Sequence, residues 1–287
     1  MKTLAGIITF NPNIDLLKRL LQSIIKQVDE ILIVDNFSKN IADFKMLNDS
    51  KITFIYNSEN KGVAYSLNQI FLYGIDHKYS WILTLDQDSL VKDGLILRYI
   101  QQTKSPNIGI ITCNIVDRNT NLFIGGESKS IESINFCISS GSFCSTKCFK
   151  EIGGFDSKMF IDGVDFDYCL NTKKHKFSII RINWTGISHE IGNTKVKYLF
   201  FKKCLVFNES AIRHYYMARN QIYLLAKYPD CFSKSKEALK EVYFRILILL
   251  FEKDKLQKLN ARRKGVKDGK AMAKQLIKEQ LGDKQKT

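Results

Sequence analysis

Asp86-Gln87-Asp88-Ser89 follows directly on the apolar run 81–85. Two carboxylates flanking one residue can grip a hard divalent cation, with diphosphate oxygens filling the remaining positions. The same stretch also reads as a helix start capped by Asp88 or Ser89. A second acidic group lies in Phe160-Ile161-Asp162-Gly163-Val164-Asp165-Phe166-Asp167, just after Gly153-Gly154-Phe155-Asp156. A carboxylate there, near a bound diphosphate, would serve as general base toward an incoming hydroxyl. Acids at a helix start also complement its dipole, and the spacing alone does not say which acid acts. Ser188-His189-Glu190 offers an imidazole, one of four in the chain, and neutral imidazole is a good metal ligand. Arg213 and Arg219, in Arg213-His214-Tyr215-Tyr216-Met217-Ala218-Arg219-Asn220, are six residues apart and so fall on different faces of a helix. Either one, facing a site, would pin a phosphate bidentately; facing water, it would form surface ion pairs.

These residues need elements to position them. Residues 4–10, 30–35, 52–56, 81–85 and 108–113 are short runs of Ile, Val, Leu and aromatics, the pattern of strands buried on both faces. Residues 14–27, 63–76 and 93–103 separate them as helices; Ile14, Leu17, Leu20, Leu21, Ile24 and Ile25 trace one helical face. The alternation predicts an α/β fold with a mostly parallel central sheet flanked by helices. Open parallel sheets bind ligands at the carboxyl ends of their strands. The residues there are Thr9, Phe10 and Asn11; Asp35, Asn36 and Ser38; Asn57, Asn60, Lys61 and Gly62; and the Asp86–Asp88 pair. Turn-forming preference explains each of them singly, but it explains less well why carboxylates end two strands. No Gly-x-Gly-x-x-Gly follows the first run and no Gly-x4-Gly-Lys-Ser/Thr occurs, which disfavours a dinucleotide fold of the usual kind and a P-loop.

Further along, residues 163–175 are expected as a helix and 177–182 as a strand. From residue 198 the pattern turns mostly helical, with helices expected over 211–228, 233–259 and 262–281. The composition shift near 195–203 places a boundary between a first domain, 1–200, and a basic helical region, 201–287.

The chain has 287 residues, 45% hydrophobic and 25% charged, enough apolar surface for a sizeable core. Seven scattered cysteines without a Cys-x-x-Cys pair argue against disulfide staples or a structural zinc, and for a reduced, cytoplasmic setting. The opening apolar stretch is cut at Asn11-Pro12, and residues 246–251 fall far short of the ~20 apolar residues that cross a bilayer. Net charge is +15, and residues 234–287 carry 16 Lys and Arg against 7 Asp and Glu. Such a tail can meet a nucleic acid, an anionic membrane surface or nothing but water. A basic nucleic-acid-binding protein is therefore the rival reading, although the acidic clusters would repel a polynucleotide backbone.

Taken as an ordered set, Thr9-Phe10-Asn11, Val34-Asp35-Asn36, Asn60-Lys61-Gly62-Val63-Ala64 with Asn68, Leu85-Asp86-Gln87-Asp88-Ser89, Gly153-Gly154-Phe155-Asp156, Phe160-Ile161-Asp162 and Val164-Asp165 resemble family 2 inverting glycosyltransferases of the GT-A fold. The Asp-Gln-Asp-Ser form, His189 and the Arg-x-Tyr-Tyr-x-x-Arg-Asn run are most similar to the bacterial rhamnosyltransferase branch. The resemblance spans roughly residues 3–225. It implies a Rossmann-like GT-A domain with a helical C-terminal extension. It further implies that Thr9, Asn11 and Asp35 hold the nucleobase and ribose of a nucleotide-sugar donor, and that Asn60, Gly62 and Asn68 line the nucleotide edge. Asp86 and Asp88, with His189, would position Mg2+ or Mn2+ on the diphosphate. Asp165 matches the catalytic base, and Arg213, Tyr216 and Arg219 would neutralise the leaving diphosphate or shape the acceptor side. Phe166-Asp167-Tyr168 and Asn171 depart from the Glu, Trp and Arg often found after the base. The activity implied is transfer of a sugar, L-rhamnose from dTDP-β-L-rhamnose or a sugar from another nucleotide donor (UDP- or GDP-linked). The acceptor implied is a saccharide or lipid-linked saccharide in bacterial surface polysaccharide synthesis, at the cytoplasmic face of the cell membrane, with peripheral contact through the basic C-terminal helices and the option of a homo-oligomer. Residues 191–197 are expected as a mobile loop over the donor.

Overall fold

The computed structural model describes residues 1–47, 49–190, 192, 194–199 and 202–284. The chain divides into two compact units, Met1–Phe160 with Val164–Glu190, and Ile161–Gly163 with Ile191–Thr287.

The first unit opens with β1 (Thr3–Thr9), β2 (Glu30–Asp35), β3 (Ile52–Tyr56) and β4 (Trp81–Asp86), joined by α1 (Ile14–Ile24) and α2 (Val63–Asp76). These strands lie in the order β3-β2-β1-β4 and are all parallel. The chain runs outward from β1 to β3, then returns to place β4 on the other flank of β1, so a topological switch lies between β1 and β4. The sheet continues through β5 (Leu90–Val91), β6 (Ile108–Asp117), β7 (Glu132–Ser133), β8 (Ser142–Ser145) and β9 (Ser178–His189). Its full order is β3-β2-β1-β4-β8-β6-β9-β5, with β7 also on β9. β8 runs antiparallel between β4 and β6, while β9 runs parallel to β6. Six of the nine strands therefore point the same way. α3 (Leu95–Gln102), α4 (Thr146–Ile152) and α5 (Val164–Lys174) complete the unit.

Local chemistry explains these elements. Asn13 caps α1 by accepting from the amides of Asp15 and Leu16, and Leu17, Leu20, Leu21 and Ile24 turn one face inward. That face joins Ala5, Ile7, Ile31, Ile33, Leu83 and Leu85 in one core. On α2, Gly74 leaves no room for a side chain against Ile82, and Gly6 on β1 leaves none against Ile70, so helix and sheet approach closely.

The second unit holds the antiparallel pair β10 (Lys195–Leu199) and β11 (Lys202–Val206), then α6 (Ala211–Lys227), α7 (Lys234–Phe251) and α8 (Lys255–Lys284). Of the loop expected at 191–197, Ile191 and Asn193 lie outside the described residues, and residues 195–197 belong to β10. The helix expected over 233–259 instead ends at Phe251. The chain turns through residues 252–254, with Asp254 at φ 51°. This turn buries the Glu252 carboxylate, which accepts from Lys258 Nζ at 2.9 Å and lies 3.0 Å from His214 Nε2. Arg262 is fully buried, paired with Glu241 and placed 4.9 Å over the Phe244 ring.

Candidate active site

Thr9 ends β1, Asp35 ends β2, Asp86 ends β4 and His189 ends β9, all at the carboxyl edge of parallel strands. In register, Thr9 sits opposite Asp35, Ile8 opposite Asp86, and Asp117 opposite His189. Two-residue β5 is the clip that completes the group. Leu90 pairs with Ser188, which brings Asp88 and Ser89 against His189.

The result is a compact trio. One ligand atom each from Asp86, Asp88 and His189 lies within 4.8 Å of the others. His189 Nδ1 is 3.3 Å from Asp88 Oδ1 and 3.0 Å from Ser89 Oγ; its Nε2 is 3.7 Å from Asp86 Oδ2. A neutral imidazole donating Nδ1–H to Ser89 or Asp88 keeps its Nε2 lone pair toward Asp86. Burial by itself would lower the His189 pKa. Its hydrogen bond to Asp88 and the charges of Asp86 and Asp88 outweigh burial and hold the pKa above the ordinary value, with Arg118 opposing. The site therefore favours positive charge. Asp88 Oδ1 is also buried, facing His189 Nδ1 at 3.3 Å. Two carboxylates and an imidazole gathered this closely fit a divalent cation.

Ser140, in the 139–142 turn, accepts from the Asp86 amide at 3.1 Å and lies 2.5 Å from Ser89 Oγ. It thus supports both ends of the Asp86–Ser89 turn. Gln87 accepts from the Phe10 amide at 2.8 Å and ties the β4 turn to the β1 turn. Sequence reasoning missed both supporting roles. The only signal was the small, polar run Ser139-Ser140-Gly141-Ser142, which marks a turn without naming its partner.

The expected donor residues divide into three groups. Thr9 Oγ1 donates to Asp35 Oδ1 at 2.8 Å, and Ser38 donates to both Asp35 oxygens. Thr9 and Asp35 are fully buried, while Asn11 is exposed and joined to Ser38 and Lys39. Asn60 Oδ1 accepts from Asn36 Nδ2 and from the Gly62 amide. Gly62 has φ 86°, and a Cβ there would meet the Phe160 carbonyl oxygen at 2.5 Å. Only glycine starts α2 in this way. Asn68 turns elsewhere: it bonds both backbone groups of Phe155 and also Ser157, so it fastens the 153–157 turn.

The three acids of the 162–167 cluster also separate. Asp167 is buried at 1% exposure, and Asp162 pairs with Arg213. Asp165, half-buried in the first turn of α5, lines a cavity with Thr84, Ser139, Ser142, Phe155 and Tyr168. Thr84 lies two residues before Asp86 on β4, and Ser139 directly precedes Ser140, so the same strand and turn serve both the cavity and the Asp86 cluster.

The model of glycosyl transferase family 2 matches residues 5–159. The chain belongs to this family. The transferase is 25% identical over 269 residues to the dTDP-rhamnosyl transferase RfbF of Shigella flexneri, an alignment covering 88% of this chain and 90% of that one. Among solved structures it is similar to S. aureus TarS, with TM-score 0.57, 13% identity, and coverage of 88% of this chain and 44% of that one. TarS 1-349 in complex with UDP-GlcNAc matches at TM-score 0.57 and 16% identity, over 91% of this chain and 79% of that one. GalNAc-T7 with UDP, GalNAc and Mn2+ matches at TM-score 0.56 and 12% identity, over 88% of this chain and 56% of that one. The transferase thus spans under half of the longer TarS chain and just over half of GalNAc-T7, and it shares their GT-A fold.

In the second unit of the transferase, Arg213 forks onto Asp162, with Nη2 at 2.5 Å from Oδ1 and Nε at 3.2 Å from Oδ2, and pairs with Glu209 at 3.1 Å. Arg219 lies 4.6 Å over the Tyr216 ring and donates to Asn220 Oδ1. Asn220 in turn donates to the carbonyls of Ile161 and Asp162. Arg213, Tyr216 and Arg219 therefore belong to one network around residues 161–162.

Proposed function

We propose that this glycosyltransferase is a metal-dependent, inverting enzyme that moves a sugar, L-rhamnose from dTDP-β-L-rhamnose, onto a saccharide or lipid-linked saccharide acceptor. The observation that carries the reading is the convergence of Asp86, Asp88 and His189 at the carboxyl edge of a family 2 domain. The choice of donor is supported by likeness to the Shigella rhamnosyl transferase along nearly the whole of both chains.

Mg2+ or Mn2+ held by Asp86, Asp88 and His189 would supply Lewis-acid stabilisation of charge on the departing diphosphate. The chain's own residues do the rest. Asp165 takes the proton of the acceptor hydroxyl as that oxygen attacks the anomeric carbon from the face opposite the diphosphate, so a single displacement inverts the configuration. Thr9, Asn11 and Asp35 seat the nucleoside, and Asn60 with Gly62 fixes the edge of its crevice.

Acceptor delivery from a membrane surface is supported by α7. Leu239, Val242, Tyr243, Ile246, Leu249 and Leu250 are each 39% or more exposed. At helical spacing they form one stripe, set in a region rich in Lys and Arg. That combination complements anionic lipid. No helix among the described residues is long and apolar enough to cross a membrane.

A panel of dTDP-, UDP- and GDP-sugars, assayed with Mn2+ or Mg2+ for nucleoside diphosphate release and for the anomer formed, tests the proposal. The expected result is metal-dependent release from dTDP-rhamnose with inversion. Retention at the anomeric carbon, or turnover indifferent to the metal, overturns it.

A further inference from the structure

The wall of the Asp165 cavity contains a feature that glycosyl transfer does not use. Cys137, Cys144 and Cys169 all line it, and Cys137 Sγ lies 3.8 Å from Cys169 Sγ. The two residues are 32 positions apart and come from different parts of the unit, the stretch before β8 and the middle of α5. They also differ in environment. Cys137 is half-buried and accepts from the Ser142 hydroxyl at 3.4 Å. Cys169 is 1% exposed and donates to the Cys137 carbonyl at 3.6 Å. Hydrogen bonding to Cys137, then burial, holds the Cys169 thiol well above its ordinary pKa, so it stays protonated while Cys137 is the more accessible sulfur.

We propose that Cys137 and Cys169 form an oxidisable dithiol, a modification site for peroxide, whose disulfide shuts down the Asp165 cavity. The Cys137 thiolate attacks one peroxide oxygen; the O–O bond breaks, hydroxide leaves and takes up the thiol proton as water, and Cys137 becomes a sulfenic acid. The Cys169 sulfur then attacks that sulfur, the S–O bond breaks, a second water leaves, and the S–S bond forms. Two thiols lose two electrons and one peroxide becomes two waters. A disulfide bond is about 2 Å long, so the sulfurs must close by well over an ångström. That movement pulls the stretch ahead of Ser139 and Ser140 toward α5. Cys169 is four residues after Asp165 and on the same helical face, so the bond pins the base to the turn that supports Asp86. The pairing does not depend on a secretory setting, because disulfides in reducing compartments are commonly transient and redox-sensing.

The effect on transfer rests on the function proposed above, whereas the bond itself does not, and the experiment separates the two. The full-length protein is treated with hydrogen peroxide, its remaining thiols are alkylated, and the chain is digested and weighed. The expected result is one cross-linked peptide pair joining Cys137 to Cys169, two hydrogens lighter than the free peptides. It is absent in Cys137→Ser and in Cys169→Ser and is removed by dithiothreitol. Transfer by the oxidised wild type is expected to fall by about tenfold or more and to return on reduction. Peroxide-treated protein with both thiols still alkylated, a bridge to Cys144 instead, or a Cys137–Cys169 bridge that leaves transfer untouched overturns the proposal. A reduced protein with no transfer on any donor counts against the function alone, since the mass still reads the bond.

Discussion

Ser140 holds both ends of the turn that carries two of the three candidate ligands, through the Asp86 amide and the Ser89 hydroxyl. Groups that orient metal ligands are typically worth 10- to 100-fold in affinity. Ser140→Ala is therefore expected to weaken Mn2+ binding by roughly that factor, read by calorimetry or by the spin signal of free Mn2+, with all three ligands intact. Asp165→Asn makes the complementary prediction. Donor and metal binding stay, while transfer falls by roughly 100- to 10,000-fold, as seen in single-turnover kinetics. Transfer at the wild-type rate would remove Asp165 from the role of base. Asp86 and Asp88 were legible in the sequence because a carboxylate pair after an apolar strand is unusual for a core. Ser140 was not, since a serine in a turn has a dozen ordinary uses and its partners lie 51 and 54 positions away.

The helices of the second unit depend on close backbone contact. A Cβ on Gly269 would meet the Arg219 carbonyl oxygen at 2.5 Å, and one on Gly265 would press on the Tyr215 carbonyl. Gly269→Val should cost about 1–3 kcal/mol, in line with overpacking, and lower the unfolding temperature without altering the Asp86 cluster. Glu252 adds a pH dependence. Burial raises its pKa, but the hydrogen bonds from His214 and Lys258, with their charges, prevail and leave it below 4.5. Its contribution is present above that value and is lost as pH falls through the lower folded-state pKa. Acid unfolding of Glu252→Gln should accordingly be less steep than that of the wild type as pH falls below about 4.5. The main strands and helices of the first unit were legible because continuous apolar runs and a 3.6-residue stripe leave few alternatives. β5 and β7 span two residues each, too few for any periodicity. The β10–β11 pair was missed because the composition shift at 195–203 suggests a domain boundary rather than a hairpin, and the end of α7 was misplaced because only the buried partners of Glu252 require the turn there.

At the scale of the whole molecule, the proposed lipid contact rests on a net charge of +15 and the exposed apolar stripe of α7. The full chain is expected to float with vesicles containing anionic phosphatidylglycerol and to release them as salt rises past the screening range. Leu239→Glu with Ile246→Glu should stay with the unbound protein, and equal flotation of both proteins would exclude α7 as the contact. Ser89 and His189 are 100 positions apart, and they meet only because β5 pairs with β9, one of the last strands to join the sheet. A ribosome must therefore release nearly 190 residues before the three candidate ligands can come together. If the proposed ion binds there, its capture by a nascent chain would mark the moment at which the first unit is complete.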